Sequence, residues 1–362
     1  MSMPSNADVD ARVSEIAALH LDPDHGAPYW IRRSRALNFN AARIQTVADL
    51  ALLGPMDAQA LAQLPVEDFI PRKFINRRNT CVIAETGGTL GRPKFAVHRD
   101  DEFETAFVRP FVVAATKAEF PLNVNWLFVG PSGPHIIGKA ARACARAMCA
   151  PDPFTTDFDP RWAKKLPDGS LARTRYVQHI AAQALNILET QSIGAIFATP
   201  PVIESLAGMI TPAARDGVRG IHFGGMPVTS ALRRRLHDLF PRAVLISGYG
   251  NTLFGVAPEL NYDDATGIDY FAQGTRLIYR VVPLDIADEQ QRISETVGYL
   301  QRGQICAHRL DEMQFIANML ERDTAVRIPP LEHFSADGFI LDGLRDPQPI
   351  IDAATRPALG LY

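Results

Sequence analysis

Residues Thr80–His98 read TCVIAETGGTLGRPKFAVH, and the change of character inside this stretch decides how the chain is read. Thr80–Ala84, TCVIA, has the apolar, β-branched make-up of a short buried strand, and Phe95–His98 reads as the strand that follows. Between them Thr86–Lys94, TGGTLGRPK, holds three glycines, two threonines and a lysine. Without side chains at Gly87, Gly88 and Gly91 the backbone can turn its N–H groups toward an anion. The hydroxyls of Thr86 and Thr89 and the charge of Lys94 are suited to phosphate oxygens. A Walker loop it is not, since that motif needs Ser or Thr after the lysine and a strand-to-helix turn. On these residues alone the loop reads equally as a plain glycine turn.

Outward from the loop, helical spacing of apolar residues predicts helices over Asp8–Leu19 and Val47–Leu64, with Thr46 and Asp57 as N-caps. Glu102–Thr116 predicts a helix interrupted near Pro110, Asn125–Val129 a buried strand ending at the turn GPSGPH, and Lys139–Ala150 an alanine-rich helix. Asp152–Gly169, dense in proline and charge, reads as a surface insertion. Then come a helix at Tyr176–Thr190, a strand at Ala195–Ala198, a strand at Gly220–Phe223, a helix at Thr229–Phe240 and a strand at Ala243–Ser247. This alternation predicts a parallel-sheet α/β architecture. From about Thr275 the pattern changes to the β-branched alternation of RLIYRVV and GQICAHRL, with turns at Arg302–Gly303 and Asp337–Gly338, which predicts a smaller β-rich subdomain.

Bulk properties narrow the function. A chain of 362 residues that is 47% hydrophobic can bury a substantial core. A net charge of -3, from 37 basic and 40 acidic residues, gives no global field for nucleic acid or anionic membrane. Cys81, Cys144, Cys149 and Cys306 are scattered, without zinc-ligand spacing. Neither a signal-peptide core nor a membrane-length apolar run occurs, so a cytoplasmic protein is expected. The run Arg233–Arg235 reads as a solvated helix face, and His98, His222 and His308 as structural.

TGGTLGRPK resembles the phosphate-loop signature TSGTTGxPK of the adenylate-forming (ANL) superfamily of acyl-CoA synthetases, adenylation domains and luciferases. Gly87 stands for the usual serine and Leu90 for the second threonine. Three further segments resemble that family in the same order. HFGGMP, with Gly224, Gly225 and Met226, resembles its strand and GG turn, whose backbone lies against adenine. SGYGNTLFG resembles YGxTE, which implies that Tyr249 stacks on adenine and that Gly250, Asn251 and Thr252 lie near nucleotide. The glutamate that normally contributes to magnesium binding is here Leu253, which cannot ligate a hard cation. NMLERDTAVRI resembles YRTGD, and gives Asp323 the ribose hydroxyls. The turn PSGPHIIG occupies the place of the carboxylate pocket, so Ser132 and His135 are expected there together with Gly225 and Met226. DGLRD loosely resembles the hinge segment, with Arg345 as its arginine.

The resemblance implies an α/β fold of the ANL large-domain type, with layered α/β subdomains over 1–275 and a β-rich subdomain of the same domain over 276–345. Residues 346–362 would form a tail: the 17 residues after Arg345 are too few for a small C-terminal domain of about 100 residues. The implied activity is ATP-dependent conversion of an aromatic carboxylic acid into an acyl-adenylate. PSGPH, QHIAAQALNILETQ and ERD look most like a truncated branch that serves phenazine-antibiotic biosynthesis. Thr89, Lys94 and His135 would be catalytic. ATP is the implied cofactor, with magnesium left open. The implied partners are the aryl acid, an acceptor that is CoA, a carrier protein or a reductase, and a second copy in a homodimer. The alternative is a catalytically impaired protein that binds nucleotide or carboxylate and presents an intermediate to a partner enzyme.

Overall fold

A computed structural model of the chain describes residues 5–38, 40–87, 92–167 and 169–350. Thirteen strands are formed among them: β1 (Cys81–Glu85), β2 (Phe95–Arg99), β3 (Asn125–Val129), β4 (Phe154–Thr156), β5 (Ile193–Ala198), β6 (Gly220–Gly224), β7 (Val244–Asn251), β8 (Gly255–Asp263), β9 (Gly267–Tyr270), β10 (Leu277–Val282), β11 (Arg302–Leu310), β12 (Phe315–Ile328) and β13 (Gly343–Pro349). Strands β1 and β2 pair as an antiparallel ribbon, and the others form one sheet of eleven in the order β10-β11-β12-β13-β9-β8-β7-β6-β5-β3-β4.

Half of this sheet is parallel and half antiparallel. From β4 to β7 neighbours run parallel, with Leu127 opposite Ile196 and Phe223 opposite Ser247. β3 and β5 are nearly continuous apolar runs, as strands covered on both faces are; every residue of β5, IGAIFA, is buried. From β7 through β8, β9, β13, β12 and β11 to β10 all pairs are antiparallel. The alternation of strand side chains divides the parallel half into two cores. Leu127 and Val129 pack with the helices Leu171–Thr190 and Pro200–Ala207, whereas Trp126 and Phe128 pack with Arg109–Lys117 and Ile136–Ala147. No helix of the described residues is long and apolar enough to cross a membrane.

The structure corrects several expectations. Val47–Leu64 is not one helix but a 3-10 helix at Ala48–Leu53 and a short α-helix at Ala60–Gln63, parted where Gly54 turns at φ 70° ahead of Pro55. Thr46 and Asp57 do bind the first backbone N–H groups of those two pieces. Asp152–Gly169 is no mere insertion, because β4 within it forms the sheet edge against β3 and buries Thr156. Arg302–Gly303 opens β11 instead of forming a turn; a Cβ on Gly303 would approach the Val282 carbonyl oxygen to 2.3 Å, which explains the glycine. Near Pro110 the helix widens into a π-turn at Glu104–Val108, as suits a proline that has no N–H for the Ala106 carbonyl. Arg233 is not solvated: it pairs with the buried Glu259 at 2.7 Å and stacks on Tyr262.

A buried polar network joins the two halves. Arg309, fully buried, donates to Asp311, Gln314 and the carbonyls of Val97 and Leu253. Arg276 grips Asp311 through two bonds, at 2.9 and 2.6 Å, and donates to the Phe254 carbonyl. Together the two guanidiniums hold the Asp311 carboxyl below the usual carboxylate range despite burial.

Candidate functional site

In an open α/β sheet the ends where the strands' carboxyl termini emerge form the crevice that takes ligands. Here β3 runs into the turn at Pro131–His135, β6 ends at Gly224–Met226 and β7 at Asn251–Thr252, so three of the expected segments share one edge. The β1–β2 ribbon brings the fourth. The Glu85 N–H donates to the Pro134 carbonyl at 3.0 Å, and the Thr252 hydroxyl lies 3.5 Å from the Glu85 carbonyl. The neck of the loop is closed by Thr86, whose N–H donates to the Lys94 carbonyl at 2.9 Å while its hydroxyl accepts from the Lys94 N–H at 2.9 Å. Gly87 continues from that neck, and Gly88, Thr89, Leu90 and Gly91 lie outside the described residues. Lys94 is half-buried; burial and the nearby Arg322 lower its pKa, with Glu321 acting against them.

Tyr249 and Asp323 meet, although 74 residues separate them: the phenol donates to the carboxylate at 2.9 Å. Antiparallel β12 carries Asp323 and Glu321 where its pairing with β11 shifts register, and the Asn251 amide reaches Glu321 at 3.4 Å. Burial and the charge of Asp323 raise Glu321 to about 7. The Tyr249 ring has Tyr270 and Tyr279 as neighbours, with centroids 6.1 and 5.9 Å away, and the Tyr279 hydroxyl is buried without a partner among the described residues. Gly250 answers a structural demand as well, since a Cβ there would approach the Gly255 carbonyl oxygen to 1.9 Å across the β7–β8 hairpin. Gly225 has φ 78°, a left-handed conformation that favours glycine at the GG turn.

The turn after β7 is pinned at three successive carbonyls, Thr252 by the His98 imidazole, Leu253 by Arg309 and Phe254 by Arg276. Its Leu253 side chain is buried in the larger core. That position offers no oxygen to a magnesium ion, and among the described residues no group of three His, Cys, Asp or Glu side chains is placed to hold a metal.

On the acid side, His135 caps the helix Ile136–Ala147 and is buried, with Nε2 lacking a partner among the described residues. Burial and then Arg161 lower its pKa, favouring the neutral ring. Arg161 is itself ion-paired with Glu85. The Ser132 N–H donates to Asp157 at 2.8 Å. Ser132 also lines a cleft of about 540 Å³ with Phe103, Phe128 and Arg142, a cleft that Gly225, Met226 and His135 do not line. Arg345 lies in β13 and clasps Asp269 of β9 through two bonds, at 2.6 and 2.8 Å, so in this structure it stitches the sheet.

Glu85, Arg161, Tyr279 and Glu321 were not anticipated. For Glu321 the only signal was its closeness in sequence to Asp323, since the irregular pairing of β12 there cannot be read from sequence. Arg161 and Tyr279 come from segments whose sequence carries no motif.

The sequence matches no protein-family model and no curated protein sequence. Solved structures do match. A 2-hydroxyisobutyryl-CoA ligase in complex with 2-HIB-AMP and CoA, in its thioesterification state, superposes with a TM-score of 0.66 at 16% identity, over 95% of this chain and 68% of the ligase. The same ligase in a postadenylation state with R3-HIB-AMP gives a TM-score of 0.66 at 15% identity, over 94% of this chain and 66% of the ligase. An open conformation gives 0.64 at 15% identity. At such identity the likeness speaks for the fold alone: this chain has a mixed α/β fold like that of the part of the ligase it superposes on.

Proposed function

We propose that the chain binds ATP and a carboxylic acid along the carboxyl edge of β3–β7 and joins them. A carboxylate oxygen attacks the α-phosphorus, the bond from that phosphorus to the bridging oxygen breaks, and acyl-adenylate and pyrophosphate result. The observation that carries this reading is the convergence of the Thr86–Lys94 neck, the Pro131–His135 turn, the GG turn and the Tyr249–Asp323 pair on one edge. Lys94, Thr86, Thr89 and the amides of Gly87, Gly88 and Gly91 would neutralise the phosphates. Tyr249, Gly224 and Gly225 would face adenine, and Asp323 would exchange its bond from Tyr249 for the ribose hydroxyls. Gly250, Asn251 and Thr252 would border the phosphates, while His135, Ser132 and Met226 would orient the carboxylate. Catalysis in this scheme is positioning plus electrostatics. Because Leu253 is buried, no step is routed through a metal there.

The acid is proposed to be an aryl carboxylate, phenazine-type acids included, with CoA, a carrier protein or a reductase as acceptor. A second reading, binding and presentation without turnover, is favoured by one feature: the buried Leu253 where the resemblance puts a metal-binding glutamate. Exchange of labelled pyrophosphate into ATP separates the two, measured with aryl acids and with short 2-hydroxy acids. Acid-dependent exchange is expected, and its absence with every acid, with and without acceptors, would leave only the binding role.

A further inference from the structure

On the face of β3 turned away from the helix Ile136–Ala147, the helices Leu171–Thr190 and Pro200–Ala207 flank a half-open pocket of about 200 Å³. Its walls include Val129, Phe158, Ile180 and Leu206, all buried in the larger core, so it lies across the sheet from the core that packs on the His135 helix. Ala163, Ala181 and Ala184 line it too, and their small side chains keep the space open. An apolar cavity gives water too few hydrogen-bond partners, and one of about 150 Å³ already admits a benzene ring.

The polar side chains of the lining are Arg173, Tyr176 and Ser205. The Tyr176 hydroxyl accepts a hydrogen bond from the Asp159 N–H at 2.8 Å, and a phenol that accepts one bond retains its proton for donation. The basic side chain of the lining is Arg173, three residues before Tyr176 on the helix Leu171–Thr190. An apolar interior lined also by a guanidinium and a phenol is complementary to a molecule with an apolar body and an anionic head.

We infer that this pocket is a second binding site, separate from the carboxyl-edge crevice, for an amphipathic organic anion: one aromatic ring or a comparable branched alkyl group inside, and a carboxylate at Tyr176 and Arg173. This site does not depend on the chain being an adenylating enzyme.

Thermal unfolding with benzoate, and with toluene as its uncharged counterpart, tests it. Both should raise the midpoint saturably in the parent chain and equally in Tyr249→Ala, whose altered side chain lies in the other site. Ala181→Leu fills the pocket, so it should raise the midpoint without ligand and abolish both responses. Ser205→Phe, at an exposed position, closes the space from outside and serves as the control if Ala181→Leu does not fold. Tyr176→Phe should weaken benzoate about five- to tenfold and leave toluene unchanged. No saturable response in the parent chain, or an undiminished one in the filled variant, overturns the inference. Absence of pyrophosphate exchange would leave these responses unaffected, so the two readings fail separately.

Discussion

Glu321 lies beside Asp323 and Lys94, and Asp323 takes the Tyr249 hydrogen bond, a crowding that bears on their protonation. Burial, then the charge of Asp323, raises Glu321 from 4.5 to about 7. A carboxyl that holds its proton more tightly folded than unfolded favours the fold at low pH. Its contribution is full below about 4.5 and is lost as pH rises through 7. Glu321→Gln should therefore match the parent's melting midpoint near pH 4.5 and exceed it at pH 8, with a flatter decline between. Melting curves across that range check it, and parallel profiles for the two chains would show that Glu321 does not titrate there. The same side chain was legible as charge but not as a partner, because ERD reads as a surface cluster until β12 is known to be a paired strand. Leu253 was legible as a departure from the motif. That its side chain faces the core could not be read, since this follows from the carbonyls pinned by His98, Arg309 and Arg276.

At the scale of elements, the strands that position the site were largely legible. β3, β5, β6 and β7 are apolar runs bounded by turn residues, and a parallel sheet covered on both faces leaves that trace in any sequence. The pieces that were not legible owe their form to distant partners. β4 has three residues in a stretch dense in proline and charge, and it exists because β3 offers an unpaired edge. β13, GLRDPQP, has the composition of a turn, yet β9 and β12 flank it and Arg345 clasps Asp269. Gly303 looked like a turn residue because the close approach of β10 is invisible in sequence. The buried Arg309–Asp311–Arg276 network ties the β2 ribbon, the turn after β7 and β11 together. Arg309→Met removes four donated bonds and leaves Asp311 with a single guanidinium, so it should destabilise the protein by about 3–5 kcal/mol. A urea midpoint close to the parent's would mean that the network adds little.

Over the whole molecule, the large sheet and the β1–β2 ribbon together bring segments that span Thr86 to Asp323 in sequence to a shared edge. The parallel half supplies the turns after β3, β6 and β7, the ribbon supplies the neck of the glycine-rich loop, and the antiparallel half returns Asp323 and Glu321 beside Tyr249. A ligand that binds only the folded chain stabilises it by mass action, by about 2.7 kcal/mol at a hundred times its dissociation constant. If the edge marked by Tyr249 and Asp323 holds an adenosine nucleotide, calorimetric titration with ATP will register it. One saturable site is expected in the parent chain, with at least a tenfold loss of affinity, about 1.4 kcal/mol, in Asp323→Ala. No binding by the parent, or equal binding by the folded variant, would contradict it.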